Sequence, residues 1–262
     1  YDISLGLVGS EMCIRDRFNM YGGEISGNNG NNYGGAIFRK FNANMPNTTG
    51  GTFNMYGGTI KNNTAKNGGA FFSTTGGTIN MTGGTIKDNI SNTLGGGVYV
   101  KGIQSRSSTM NFSGGEISGN KANSEGGAVH VLDKDCQFFL YDGKITGNTS
   151  GDGGAIYLNQ EPSWLIMEGG EISGNTATGN GGGVYIYRSG SVCQLYSGKI
   201  ENNKASGNGG GIYINPSNSG QLKVGNKPLV QNNTVSGKAN NVYLPSGKTM
   251  TIEIGMSTGA AI

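Results

Sequence analysis

The sequence predicts an all-β fold, a right-handed parallel β-helix in which about eight coils of three short strands each stack along one axis. Glycine supplies 51 of the 262 residues, while hydrophobic residues make up only 34%. This composition argues for a repeat rather than a conventional globular core. One motif recurs about every 29 residues, a spacing typical of solenoids. Its apolar segments alternate with polar residues at period two, which favours strands over helices.

The most regular landmark of the motif is an asparagine three residues after an isoleucine or valine. The members of this column are Asn28, Asn63, Asn89, Asn120, Asn148, Asn175, Asn203 and Asn233. Asparagine tolerates the backbone of tight turns, and stacked carboxamides can hydrogen-bond along a fibre axis. We therefore expect these residues to close one corner of every coil.

Four apolar columns define the strands of the predicted coil. They begin at Phe18, Met20, Ile25 and Ile37 and recur in the later copies. Glycine pairs separate the segments, as expected at corners that require positive φ or a close backbone approach. Parallel crossovers are overwhelmingly right-handed, which sets the expected hand. The calcium-binding GGxGxD nonapeptide of a flat β-roll is absent from the sequence.

The first seventeen residues share none of this composition. Leu7 to Arg17, LVGSEMCIRDR, resembles the translation of a transposon-end adapter used to prepare sequencing libraries. We therefore interpret residues 1–17 as an assembly artefact outside the fold, with a genuine N-terminal linker as the alternative. Residues 18–262 are then expected to form a single β-helix domain, a fragment of a longer protein of metagenomic origin.

Bulk composition narrows the function classes. The net charge of +3 comes from charges scattered singly along the chain, which argues against a nucleic-acid partner. The three cysteines form no CxxC pair, so neither a zinc site nor a disulfide framework is expected. No apolar run approaches the roughly 20 residues that span a bilayer. We expect no cofactor, no metal, and membrane association only through an anchor outside this sequence.

The repeat elements carry a family resemblance. GGAIF (34–38), GGAVH (126–130), GGAIY (153–157) and ISGN (25–28, 117–120, 172–175) resemble the GGAI and FxxN repeats of chlamydial polymorphic outer-membrane proteins. They look still more like the GGTIxxN…GGGVY repeats of adhesin-like surface proteins from gut bacteria. In this sequence isoleucine or valine replaces the phenylalanine of the FxxN motif throughout. The resemblance implies an extracellular or cell-surface bacterial β-helix, with adhesion as the usual role, and it carries over no catalytic residues to this sequence.

An enzyme is the main alternative, because many pectin-lyase-like β-helices are polysaccharide lyases or glycoside hydrolases, which need clustered acids. Asp133 and Asp135 are the weak catalytic candidates, with Asp142 and Asp152 nearby in sequence. A solvated turn explains the first pair equally simply. The sequence therefore leaves the enzyme question open, with a non-enzymatic module favoured.

An aromatic column offers candidate ligand-binding residues. It begins with Phe38 and Phe72 and continues through Tyr99, His130, Tyr157, Tyr185, Tyr213 and Tyr243. Because each member lies between inward residues, the column is expected to form an outward, solvent-facing ridge. Such a ridge stabilises coil stacking, and it also suits a glycan or a host or microbial surface protein as partner.

Two further features bear on the surface. Glu116, Lys144, Glu171 and Lys199 alternate in sign in consecutive coils, which predicts register support by cross-strand opposite charges. Insertions at 39–51 and 101–109 collect at one corner, a position typical of an interaction side. The sequence thus leaves three functions open: an adhesive surface module, a carbohydrate-active enzyme and an inert stalk or spacer.

Overall fold

A computed structural model describes residues 17–39, 51–74, 76–102, 107–160, 162–218 and 220–262. In these ranges the regular structure is all β and forms a right-handed parallel β-helix, which confirms the predicted fold class. Arg17 begins the first strand, whereas residues 1–16, 40–50 of the first insertion and 103–106 of the second lie outside the described residues. No helix in the described part of the chain is long and apolar enough to cross a membrane.

The strands are short and follow one another in a fixed cycle. In the first half of the chain they are β1 Arg17–Met20, β2 Glu24–Ser26, β3 Ile37–Arg39, β4 Thr52–Met55, β5 Thr59–Lys61, β6 Thr64–Asn67, β7 Phe71–Thr74, β8 Thr78–Met81, β9 Thr85–Lys87, β10 Ile90–Leu94, β11 Val98–Lys101, β12 Thr109–Ser118, β13 Lys121–Ala122, β14 Val129–Leu132 and β15 Cys136–Thr146. In the second half they are β16 Thr149–Ser150, β17 Ile156–Asn159, β18 Ser163–Met167, β19 Glu171–Ser173, β20 Thr176–Ala177, β21 Val184–Ile186, β22 Val192–Leu195, β23 Lys199–Glu201, β24 Lys204–Ala205, β25 Ile212–Ile214, β26 Gln221–Asn226, β27 Leu229–Gln231, β28 Thr234–Val235, β29 Lys238–Ala239, β30 Val242–Tyr243 and β31 Met250–Met256.

Three sheets run the length of the described solenoid. Sheet I has 15 strands, with β1-β4-β8-β12-β15-β18-β22-β26-β31 as its continuous path. Sheet II has eight strands, β29-β28-β24-β20-β16-β13-β10-β6, and sheet III has eight, β3-β7-β11-β14-β17-β21-β25-β30. Equivalent positions of successive repeats pair in parallel, as Ile156 does with Val184 and Val184 with Ile212. The register therefore follows the repeat.

The four predicted apolar columns form a single core. Phe53, Met55, Ile60 and Phe71, one from each column in the second coil, are all at most 1% exposed. One continuous cluster of such residues reaches from Met20 to Val230. Because a single coil has no opposite layer to cover its apolar side, this core exists only when coils stack.

Sheet I contains both of the first two predicted strands of each coil, joined at a bend. In β12 and β15 the chain passes through the bend without leaving the sheet. The bend glycines Gly115 and Gly143 have φ of +99° and +98°, values that residues with a Cβ rarely adopt. An added Cβ at Gly143 would lie 2.7 Å from the Phe112 ring of the preceding coil. The glycines thus let the bend lie directly on the core.

Sheet II was missed in the sequence because its strands are two to five residues long and largely polar. Its inward positions hold small residues two places after the column asparagines from Asn63 to Asn203: Ala65, Ser91, Ala122, Ser150, Ala177 and Ala205, all at most 5% exposed. Small side chains suit this position because the asparagine corner is close by. The coil therefore has four strand segments in three sheets.

The predicted asparagine column forms a continuous buried ladder. The Nδ2 of Asn120 donates to Oδ1 of Asn148 at 3.0 Å, and the backbone N–H of Asn120 donates to the same oxygen at 2.9 Å. Asn148 repeats both bonds to Asn175. Its Nδ2 also donates back to the carbonyl of Ile117 at 3.0 Å. Each carboxamide therefore serves the coil on either side, which confirms the expected structural role.

A second asparagine ladder, not anticipated from the sequence, lies on the outer face of sheet I. Asn54 donates to Asn19, Asn80 to Asn54 and Asn111 to Asn80, each at 2.8 Å between Nδ2 and Oδ1. Only side chains take part in this ladder, and it ends where Phe139 occupies the next position. It satisfies no buried backbone group, so we expect it to contribute little to stability.

The last coil departs from the parallel pattern at one place. β28 and β29 pair antiparallel, Thr234 with Ala239 and Val235 with Lys238. Ser236 and Gly237 between them have φ of +49° and +78°, the backbone of a two-residue hairpin turn. Beyond it, β31 pairs with β26, and Ala261 bridges to Leu229, so the start of a ninth layer is in place.

Replacing one inner ladder asparagine should be costly. Asn148→Ala leaves the backbone N–H and one Nδ2 proton of Asn120 without partners in a buried corner, and the Ile117 carbonyl loses one donor. At about 1–3 kcal/mol for a buried unsatisfied group, we expect a loss of roughly 3 kcal/mol in the free energy of unfolding, measured by urea denaturation. Asn111→Ala on the outer ladder is the matched control, with an expected loss under about 1 kcal/mol. Equal losses for both variants would contradict the distinction between the ladders.

Candidate functional site

The aromatic column of sheet III is a continuous stack of rings. Ring centroids of consecutive members lie 4.7–5.5 Å apart from Phe38 to Tyr243. His130 is parallel to Tyr157 at 5.2 Å and edge-on to Tyr99 at 4.9 Å. The rings form a cluster separate from the core, on the other face of the sheet. The predicted orientation and stacking are therefore confirmed.

The predicted exposure of this column is wrong. Tyr99, His130, Tyr157, Tyr185 and Tyr213 are only 0–7% exposed. Phe72 is equally buried, and only Phe38 and Tyr243, at the two ends, are half-buried. A ligand approaching sheet III would meet little ring surface. The column cannot serve as an open stacking platform without a change of structure.

Burial has a local cause in the turns that flank the column. The glycine turn entering each sheet III strand runs against the base of the ring, so that a Cβ on Gly181 would lie 3.0 Å from Cβ of Tyr185. Additional rings cover the flanks, as Tyr187 does at 5.8 Å from Tyr157. Tyr33 covers Phe72 in the same way at 4.7 Å. The rings thus occupy a trough between two corners.

His130 forms an ion-pair geometry inside this trough. Its Nε2 lies 2.9 Å from Oε2 of Glu125, and the imidazole is fully buried while the carboxylate is 29% exposed. Nδ1 has no hydrogen-bond partner in the described structure. The pair fixes the ring between Tyr99 and Tyr157, which is a packing role.

The phenols of the trough are held in their neutral form. Burial is the largest cause that raises the pKa values of Tyr99, Tyr157 and Tyr185. Carboxylates add to the effect, Asp133 for Tyr99 and Glu125 for Tyr157. Ionisation of these tyrosines therefore opposes folding.

Asp133 and Asp135 lie in the tight turn between β14 and β15. Both have positive φ, 82° and 60°, a conformation that aspartate tolerates better than most residues. Asp133 is half-buried, and burial raises its pKa while Lys101 lowers it; Asp135 is exposed. Backbone bonds to Asn159 and Pro162 tie the turn to the next coil. This setting matches a structural turn.

The other two acids considered with them lie elsewhere. Asp142 lies within β15, at the bend of sheet I. Asp152 lies just before the glycine turn that leads into β17. The Oδ1 of Asp152 accepts the backbone N–H of Asn180 at 2.7 Å. No group of three or more His, Cys, Asp or Glu side chains suited to a metal ion occurs among the described residues. The four acids therefore occupy three different corners rather than one face.

The alternating charges stack in the predicted register. Glu116 is the strand partner of Lys144, Lys144 of Glu171 and Glu171 of Lys199. Within the described ranges, however, no N···O distance among these four falls within 4.0 Å. Glu116 instead accepts a hydrogen bond from Thr146, and Glu171 accepts one from Ser173. Their charges remain available on the surface.

These charges line a groove along the sheet I bend. The groove has a volume of about 700 Å³ and spans five coils, from Gly84 to Lys199, or about 19 Å at the usual strand spacing. Bend glycines form its floor, and its charged lining residues are Glu116, Asp142, Lys144, Glu171 and Lys199. The lining combines glycine backbone with charged side chains, is open to solvent and follows the solenoid axis.

Sequence reasoning missed this groove although its parts were visible. The glycine pair predicts a corner, and the charge column predicts strand register, but only the bend within one sheet brings them together. Asp142 was considered as an acid near Asp133, whereas the structure places it in the groove beside the charge column. The available signal was a glycine directly before an alternating charge in four repeats, with a second glycine before it in two of them.

Comparison with known protein families matches two stretches, residues 143–159 and 198–215, to the repeat of Chlamydia polymorphic membrane proteins. Each match runs from a bend glycine through the ladder asparagine, Asn148 or Asn203, to a sheet III strand. Comparisons with curated proteins and with solved structures found no match. The matched repeats and the solenoid fit a surface-associated β-helix module.

Truncation of a trough ring should destabilise the fold. Tyr157→Ala removes a ring that is 2% exposed and in contact with His130 and Tyr185. We expect a loss of about 3–5 kcal/mol in the free energy of unfolding, as for other buried aromatic side chains. Tyr21→Ala, at a ring 72% exposed, should lose under about 1 kcal/mol. Urea denaturation measures both losses. A loss at Tyr157 as small as that at Tyr21 would indicate that the ring is exposed, as the sequence predicted.

Alkaline pH should unfold the protein through the same rings. A raised pKa means that the unfolded tyrosine, near pH 10, loses its proton before the folded one does. The contribution of the neutral buried tyrosines to the free energy of unfolding is therefore fully present below pH 10. Above pH 10 the free energy of unfolding falls by roughly 1.4 kcal/mol per buried tyrosine per pH unit. Melting temperatures between pH 8 and 11.5, followed with tyrosinate absorbance, test this. A tyrosinate signal larger than the exposed tyrosines, such as Tyr21, Tyr56 and Tyr141, can supply, appearing before unfolding, would contradict it.

Proposed function

We propose that this chain is a non-enzymatic, surface-associated module that adheres to a partner through the groove of the sheet I bend. The supporting observation is the groove itself: a concave, charged surface across five coils in which the side-chain charges are not consumed by ion pairs. Most other conspicuous columns are used by the scaffold, in the core, the inner ladder or the trough.

The scaffold suits adhesion because it holds the groove rigidly. Four of the five coils contribute a glycine followed by a charged residue at the same place, held by parallel strand pairing, and the first contributes Gly84 and Thr85. A preformed surface binds with little ordering cost. A ligand extended along the axis would contact several coils at once, so its affinity would come from repeated modest contacts.

Blocking the groove should abolish adhesion. Ser197 lines the groove and is half-buried, and Ser197→Trp would fill it. Ser206→Trp, at an exposed serine after β24, is the matched control. Binding of labelled protein to a panel of fixed bacterial and epithelial cells is the measurement. We expect the parent to bind at least one surface, the control to match it, and Ser197→Trp to bind at least tenfold less.

Three outcomes would contradict the proposal. A parent protein that binds no surface would favour an inert stalk. If Ser197→Trp keeps its fold by circular dichroism and binds as well as the parent, the adhesive surface is not the groove. Depolymerisation of a polysaccharide panel by the parent, lost on Asp133→Ala and Asp135→Ala, would establish the enzyme alternative.

A further inference from the structure

A second aromatic surface lies on the outer face of sheet I, beside the groove. It is formed by the outward residues of three adjacent strands, β15, β18 and β22. Gln137, Trp164 and Val192 are strand partners in one row, and Phe139, Ile166 and Gln194 in the next. Tyr141 and Tyr196 extend the rows toward the bend. Trp164 is the one tryptophan in the sequence. We call these residues the outer patch.

The outer patch is ordered and partly open, unlike the trough. Ile166 and Val192 are 7% and 3% exposed although they lie outside the core, because their neighbours cover them. Tyr141 is 41% exposed, and Phe139 and Trp164 are half-buried. The Phe139 and Tyr141 rings are parallel within 3° at 5.7 Å between centroids. Ring faces are therefore presented in a fixed orientation.

The patch and the groove form one continuous surface. Tyr141 directly precedes Asp142, and Tyr196 directly precedes Ser197, both of which line the groove. The Tyr196 hydroxyl donates to Glu253 at 2.7 Å, which fixes that ring at the rim. A ligand in the groove would thus have rings on one side and charged hydrogen-bonding groups on the other. Sites of this kind combine apolar contact with a few oriented polar groups.

The charge balance favours an uncharged ligand. The groove carries three carboxylates, Glu116, Asp142 and Glu171, against the two ammonium groups of Lys144 and Lys199. Carboxylates only accept hydrogen bonds and ammonium groups only donate them. Sugar hydroxyls both donate and accept, so they match this mixed lining, whereas a polyanion would face the three carboxylates.

Strand pairing argues against a peptide that adds to the sheet. β15, β18 and β22 each pair with a strand on both sides, so their backbone groups offer no free edge for β-augmentation. A ligand must use side chains instead. Aromatic faces beside hydroxyl-binding groups suit the apolar ring faces and hydroxyl edges of sugars.

We infer that the groove and outer patch bind a neutral glycan chain, with sugar rings stacked on Tyr141 and Trp164 and hydroxyls bonded to Asp142 and Lys144. This inference rests on the proposed adhesive function and names its ligand class. The aromatic residues that carry it are those of sheet I rather than the buried column of sheet III.

Calorimetric titration with cello-, xylo- and manno-hexaose, and with polygalacturonate as an anionic polymer, tests the inference. We expect at least one neutral hexasaccharide to bind, and Tyr141→Ala and Trp164→Ala each to weaken its affinity about tenfold. Tyr56→Ala is the matched control, because Tyr56 holds the equivalent position three coils earlier and is 47% exposed. It should leave binding unchanged, and every variant should keep the parent circular dichroism spectrum at the temperature of the titration.

The outcomes separate this inference from the proposed function. Cell adhesion that Ser197→Trp abolishes, with no neutral hexasaccharide bound, would keep the adhesive groove and overturn the glycan. Binding of polygalacturonate alone would overturn the neutral ligand class. Neutral glycan binding that survives both Tyr141→Ala and Trp164→Ala would overturn the outer patch as the site. Absence of both adhesion and glycan binding would defeat both.

Discussion

The buried asparagine ladder is the constraint on which the other features of this solenoid depend. Each coil must turn between sheet I and sheet II in a corner with no room for water, and the residue before the asparagine is held at positive φ, as at Asn62, Asp88 and Asn202. Such a turn leaves backbone groups unpaired, which is costly when they are buried. The carboxamide of the neighbouring coil supplies the missing partner. From Asn28 to Asn203 this partner comes from the next coil, so turn geometry and coil stacking form together. In the last coil Asn233 donates instead to Asn241, eight residues further along the chain.

The ladder also fixes the register in which everything else is arranged. Once Asn148 lies over Asn175, Ile145 must lie over Ile172 and Lys144 over Glu171. The same register places Tyr157 over Tyr185 in sheet III. Core columns, the trough of rings and the charged groove are therefore consequences of one axial alignment. In a binding site that spans several coils, this alignment also sets the distance between equivalent side chains.

The repeat pattern in the sequence predicted which residues point inward. It did not predict how the turns at the corners cover or expose the outward residues. Period-two alternation placed Phe53 and Ile60 in the core and the asparagines in a ladder, because inward direction is a local property of a strand. Whether an outward ring such as Tyr185 is exposed depends instead on the turns beside it, which alternation does not encode. The bend that joins two strands into sheet I was equally hidden, since a glycine pair signals a corner without its angle. For these two reasons the candidate binding surface is the groove at Asp142 and Lys144 rather than the aromatic column of sheet III that the sequence predicted.

Hydrogen exchange at the ladder tests this account most directly. The backbone N–H groups of Asn89, Asn120 and Asn148 donate to the carboxamide of the next coil, and the same oxygens accept the Nδ2 protons. Nuclear magnetic resonance can follow backbone and side-chain protons separately. We predict that both kinds exchange as slowly as the slowest core strand amides, because they are released only when coils separate. Ladder protons that exchange as fast as the outer carboxamides of Asn80 and Asn111 would contradict the claim that this ladder holds the coils together.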